Sequence, residues 1–386
     1  MKHTKKMTAL LLAAAMILVS GCGSKAAEPS KAPEGKETQA QSQGGGETQD
    51  QAQSGASQEN TGGRTEPLVL KYGSVGSGRE NDSMHYPSKH VMDTIEKETN
   101  GMITFEYYPA SQLGSESSLL DQVLSDSLDM GIITTNVMSN VWPEFSAFSL
   151  PFAFPSLESF WGTVNTDGFI EKTQEIVQKN DMAMLIGYHT SGYRGCQNNK
   201  RPIRSAEDFK GLTFRVMAGD IYTDVFGNCL GASTVTVAAD ELYSALQQGV
   251  VDGEDTALNY VLDQKYFEVE KYSTQINAMT GSMAILVSNG TWNKLTDQEK
   301  EIFLRAGREA GDVSYEFVKK MAEGFTEQVE EKGVELIRNS DLTKEERDSF
   351  LNATQPVWEK YRGEVGEEFY DYFNEVREKA IADLGL

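Results

Sequence analysis

Residues 68–135 read LVLKYGSVGSGRENDSMHYPSKHVMDTIEKETNGMITFEYYPASQLGSESSLLDQVLSDSLDMGIITT, and two periodicities alternate along them. LVLKYGSVG (68–76) alternates and breaks at glycines, the pattern of a strand entering a loop. YPSKHVMDTIEKETNG (86–101) has helical spacing and stops near Gly101, and MITFEYYP (102–109) is strand-like again. SSLLDQVLSDSLD (117–129) is helical, and MGIITT (130–135) is a short buried strand. Strand, helix, strand, helix, strand predicts an α/β unit with a largely parallel sheet.

The pattern returns after residue 182. MAMLIGYHT, LTFRVM, ASTVTV and SMAILVS read as strands, GDIYTDVFGNCLG and AADELYSALQQGVVDG as helices, and beyond Asn289 the chain is nearly all helix. Two α/β units with helical closing segments predict two lobes and a ligand cleft beyond the strand ends. No repeat of 20–50 residues is present.

The first residues concern location. Lys2, Lys5 and Lys6 precede the apolar run MTALLLAAAMILV (7–19), too short to span a bilayer and suited to an export signal. LVSGC places Ser20 and Gly21 before Cys22, which resembles the lipobox of bacterial lipoproteins, so residues 1–21 are expected to be removed and Cys22 lipidated. Residues 22–66 contain no aromatic side chain and are rich in Gln, Gly, Ser, Glu and Thr, the composition of a disordered tether. Folded structure is expected as lobe one (67–191 with 282–321) and lobe two (192–281 with 322–386).

A formal net charge of −23 argues against nucleic acid or an anionic lipid surface as partner. The histidines have no metal-ligand spacing, so no metal and no cofactor is expected. Gly73–Gly78 lacks the Lys-Ser/Thr ending of a phosphate loop, and Ser191 beside His189 has no nucleophile elbow. Asp252 and Glu254 could serve a glycoside-type hydrolase as acid and base, but in a chain with 58 acidic residues such a cluster is unremarkable. Cys196 and Cys229 could pair or remain separate thiols.

GLTFRVMAG (211–219) has Leu212, Phe214 and Val216 on one strand face and Arg215 on the other, where an arginine needs an anionic partner. With YPASQLGSESSLLDQVLSDSLDMGIITT (108–135), PEFSAFSLPFAFPS (143–156), GYRGCQNNKRPIRSAEDFKGLTFRV (192–216), ELYSALQQGVVDGEDTALNYVLDQKYFEVEKY (241–272) and ILVSNGTWNKLTDQEKEIF (285–303), the chain resembles the solute-binding subunits of tripartite ATP-independent periplasmic (TRAP) transporters over nearly all of 68–330. The resemblance implies an α/β, two-lobed, periplasmic-binding-protein-like fold (type II-like) and a non-enzymatic protein. It also implies a small organic acid as ligand (a C4 dicarboxylate, a uronic or other sugar acid, or a keto acid) and delivery to a small and a large membrane subunit. A ligand sensor for a signalling partner is the alternative on the same fold.

By that resemblance Arg215 clamps the ligand carboxylate and Arg194 assists, with Ser115, Glu116, Thr134, Thr135 and Asn136 from the first lobe and Asp255, Thr256 and Asn259 from the second. The chain has VDGEDT where many relatives have VDGQEN, placing Thr256 at an amide position, and Ala239 where an aromatic wall is common. Trp142 and Tyr193 are further candidates for the cleft wall.

Overall fold

A computed structural model describes residues 64–386. The export segment, Cys22 and most of the tether lie outside the described residues. Nine strands form one sheet: β1 (Leu68–Gly73), β2 (Ile103–Tyr108), β3 (Met130–Thr134), β4 (Ala183–Asn198), β5 (Thr213–Val216), β6 (Ser233–Thr236), β7 (Gly253–Thr256), β8 (Tyr272–Ser288) and β9 (Glu335–Ile337). Their order is β2-β1-β3-β8-β4-β7-β5-β6, with β9 beside β8.

β1 runs parallel to β2 and β3, and β5 runs parallel to β6 and β7, as expected for two α/β units. The two sets never touch. β3 pairs with Met283–Val287 at one end of β8, whereas β7 pairs with Gly195–Asn198 at the opposite end of β4. β4 and β8 are antiparallel from Ala183↔Ser288 to Asn198↔Tyr272, so this pair alone carries the sheet from one unit to the other. A register shift between Thr190 and Gly192 falls in the stretch between the two units, and such bulges bend and twist a strand.

The long helix Asp297–Glu331 starts from a Thr296–Glu299 capping box, worth about 1 kcal/mol for such a cap. It lies directly on β4 because Gly187 and Gly307 face each other. A Cβ at Gly187 would meet the Gly307 carbonyl, and one at Gly307 the Ile186 carbonyl. Its first half joins the cluster of Leu70, Tyr72, Ile103, Met130 and Ile285 through Phe303. Its last turns join Leu242, Val251 and Tyr266 through Phe325 and Val329. A third cluster gathers Phe145, Phe148 and Phe169 with Phe214 and Phe226, and the last two helices supply Phe350 and Phe373 to it.

Two expected boundaries differ from the packing. Arg64, counted with the tether, is docked: its Nε pairs with Glu299 Oε1 at 2.7 Å. The assignment of 322–386 to the second lobe does not describe the final helix, Glu367–Asp383, because its Phe373 packs on Phe148 and Phe154. The chain beyond Asn289 is nearly all helix, as expected, with the three-residue β9 beside β8 as the exception. Cys196 and Cys229 are separate thiols.

Candidate functional site: a cavity with one open arginine

A cavity of about 560 Å³ opens between the two units. From the first, Ser115, Glu116, Thr134, Thr135 and Asn136 line it; from the second, Arg194, Arg215 and Thr256 do. Local structure sets these positions. Ser115 caps helix Glu116–Leu124, accepting from Ser118 N, and Glu116 opens that helix with Oε1 accepting from Thr134 N at 2.6 Å. Thr134 ends β3 and caps the turn Thr135–Met138, whose Asn136 donates across the cavity to the Ala218 carbonyl. Asn136 Nδ2 and Oδ1 occupy the space that a Cβ on Gly219 (φ 134°) would need, so glycine is required there twice over.

The arginines have different surroundings. Arg194 Nε donates to Asp255 Oδ2 at 2.6 Å, and its guanidinium carbon stands 5.7 Å from the centre of the Tyr222 ring. Burial opposes the Arg194 charge, and Asp255 beside it more than restores it, raising the guanidinium above its ordinary range. Arg215, 5% exposed, donates from Nε to the Val237 carbonyl at 2.9 Å, and no ion pair holds it among the described residues. Its terminal nitrogens make no hydrogen bond among the described residues, and the residue lines the cavity. Burial pushes the Glu116 carboxyl up to about 7, against the hydrogen bond from Thr134 and the charges of Arg215 and Arg194.

Two expected residues stand elsewhere. Asp255 is buried behind Arg194 instead of facing the cavity, because the guanidinium covers it. Asn259 faces away: its Nδ2 donates to Ser83 Oγ at 2.9 Å, and the residue lines a second cavity of about 540 Å³. Tyr193 reaches that second cavity too, with its hydroxyl on the Phe154 carbonyl at 2.8 Å, while Trp142 packs on Phe145. The sequence reading missed Tyr222, Tyr260, Ser282 and Met217, which also line the main cavity. Tyr222 sits in a run of helical spacing and reads as core, whereas Ser282 follows the open-ended polar half of β8.

Residues 75–364 match the family described as bacterial extracellular solute-binding protein, family 7. The chain belongs to that family. Family 7 proteins are the substrate-binding subunits of TRAP transporters, extracytoplasmic proteins that work with membrane permease subunits and are not enzymes. The sialic acid-binding periplasmic protein of Vibrio cholerae is 28% identical over 78% of this chain and 90% of its own. The C4-dicarboxylate-binding protein of Bacillus subtilis is 23% identical over 82% and 88%. Among solved structures, the sugar acid binding protein of Advenella mimigardefordensis in complex with galactonate has a TM-score of 0.76 at 22% identity, covering 82% of this chain and 99% of that one.

The family 7 fold accounts for the two-lobed layout. Among the described residues no helix is long and apolar enough to cross a membrane. Of the carboxylates considered for hydrolysis, Asp252 has structural partners, Oδ2 accepting from Thr213 N at 2.9 Å and Oδ1 meeting Lys200 at 3.1 Å, and Glu254 is fully buried.

Proposed function

We propose that the protein captures a hydroxylated monocarboxylic acid, a sugar acid in the first instance, with Arg215 as the carboxylate clamp, and hands it to the small and large membrane subunits. Arg215 carries the reading: a nearly buried guanidinium that makes no salt bridge among the described residues and lines a 560 Å³ cavity. A planar guanidinium holds both carboxylate oxygens, a geometry that lysine cannot reproduce. Arg194 is occupied by Asp255 and serves as a positioned charge beside the bound group. A second ligand carboxylate would meet Glu116 and an Arg194 already paired with Asp255, so a dicarboxylate fits less well than an acid whose hydroxyls meet Glu116, Asn136, Thr256 and Ser282. Relatives named for sialic acid and galactonate are consistent with that class.

The lobes of the proposal meet near 191/192 on β4 and 281/282 on β8, where the bulged pair links the two α/β units. Asn136 to Ala218, Arg79 to Asp263 and Asn259 to Ser83 are the contacts that shutting the cleft makes and opening it breaks. Lipidation of Cys22 would hold the protein at the membrane.

Calorimetry with D-galactonate, D-galacturonate, succinate and D-galactose, on wild type and Arg215→Lys, tests the assignment. Stoichiometric binding of a sugar acid, weakened at least tenfold by the lysine, is expected. Equal binding of neutral galactose, or an unchanged Arg215→Lys affinity, rules the clamp out.

A further inference from the structure

Behind the clamp lie two carboxyls that acid capture leaves unused. Glu254 and Glu270 are 0% and 2% exposed. The parallel register of β5 and β7 sets Glu254 beside Arg215, and the register of β7 with β4 sets Gln197 on its other side. Residues in register project to the same face of a sheet, so Arg215, Glu254 and Gln197 form one polar row inside the second unit. In the amide orientation that satisfies both of its ends, Gln197 donates to Glu254 Oε1 at 3.1 Å and to the Gly195 carbonyl at 2.8 Å. Glu254 Oε2 and both oxygens of Glu270 meet no donor.

Three undonated oxygens on two buried carboxyls constrain the charge. An ionised carboxylate can only accept, and burying one without donors costs several kcal/mol; at Glu270 the charge of Glu254 adds to that cost. Keeping a proton on the pair removes most of that cost. The neighbours act in both directions. Arg215 from β5 and Arg194 from β4 favour ionisation, while Asp255 from β7 opposes it. The Cys196 thiol on β4 and the Tyr266 phenol on the turn before Glu270 contribute no opposing positive charge.

We propose that Glu254 and Glu270 form a proton-binding site linked to the clamp: a ligand carboxylate neutralises Arg215, the pair then holds its proton more tightly, and the protein takes up a proton from solvent as it captures an acid. The inference rests on Arg215 being the clamp. Burial, then Asp255, push Glu254 up to about 8, and burial with Glu254 beside it raises Glu270 as well. Affinity is therefore greatest below that range and weakens as pH rises through it, because linkage is reciprocal. Emptying the cleft returns the proton.

The test needs no ligand. In the full chain carrying side-chain ¹³C-carboxyl-labelled glutamate, with Glu254→Gln and Glu270→Gln for assignment, NMR titration should find one of the two still protonated at pH 7. Arg215→Met, which mimics the neutralised clamp, should move that titration upward by at least half a pH unit, and Arg215→Lys should leave it nearly unmoved; Arg215→Gln is a second neutral variant should the first not fold. Both carboxyls ionised at pH 7, or a titration indifferent to the charge at 215, overturns the proposal. Since no acid is added, that result stands apart from a failure of Arg215 to bind one.

Discussion

Asp255 Oδ2 lies 2.6 Å from Arg194 Nε and takes up the guanidinium edge that would otherwise face the cavity. The pairing divides the two arginines: Arg194 is held by the protein, and Arg215 is left for something else. The division can be tested in both directions.

Asp255→Ala leaves the Arg194 charge buried without its partner. Breaking such a pair from one side costs about 3–5 kcal/mol, so chemical denaturation should show a large loss of stability in the absence of any ligand. A loss below about 1 kcal/mol would mean that the pair contributes little to the fold.

Arg215→Met should behave oppositely. With one hydrogen bond and no ion pair to lose, the unliganded variant should lose no more than about 1 kcal/mol, while affinity for a sugar acid falls about 10- to 100-fold, the worth of hydrogen bonds to a charged group. Destabilisation comparable with that of Asp255→Ala would assign Arg215 to the scaffold.

Asn136 bridges the cavity to the Ala218 carbonyl, so Asn136→Ala should shift the free protein toward the open form. Small-angle scattering should report a larger radius of gyration without ligand, and calorimetry a several-fold weaker affinity. An unchanged scattering profile would mean that the other cross-cleft contacts suffice.

The stability of the protein should fall as pH rises from acid to mildly alkaline values, relative to a variant lacking the buried acid. Glu254 is raised to about 8 in the folded protein, against roughly 4.3 for an unfolded glutamate. Its contribution is therefore fully present below the lower value and lost as pH climbs through the higher one. Glu254→Gln should accordingly exceed wild type in thermal midpoint at pH 8.5, with the gap closing toward pH 4. A gap independent of pH would show that Glu254 is not the titrating group.

Much of this was legible in the sequence. Leu68–Gly73 and Thr213–Val216 carry simple alternation and were readable as strands, and an arginine inside such a run signals a partner in waiting. The lengths of β4 and β8 were not readable, because MAMLIGYHT and SMAILVS stand out as apolar while Gly192, Gln197, Thr274 and Gln275 interrupt the pattern of the same strands. Those interruptions lie where both faces meet other elements, so no single apolar stripe develops. Asn259 was misplaced for a related reason: spacing puts a residue on a helix but does not say which way the helix of Leu258–Asp263 is rolled. The pairing of Arg194 with Asp255 depends on strand register between β4 and β7, which no local pattern encodes.

The aromatic cluster that joins Phe148 and Phe169 to Phe214 and Phe226, closed by Phe350 and Phe373, has an evolutionary consequence. Each half has a cluster of its own, but this third one belongs to both, so exchanging a half with that of a relative would tear a shared core. New ligand preferences in such a chain are reached more readily by replacing side chains around the cavity than by recombining halves.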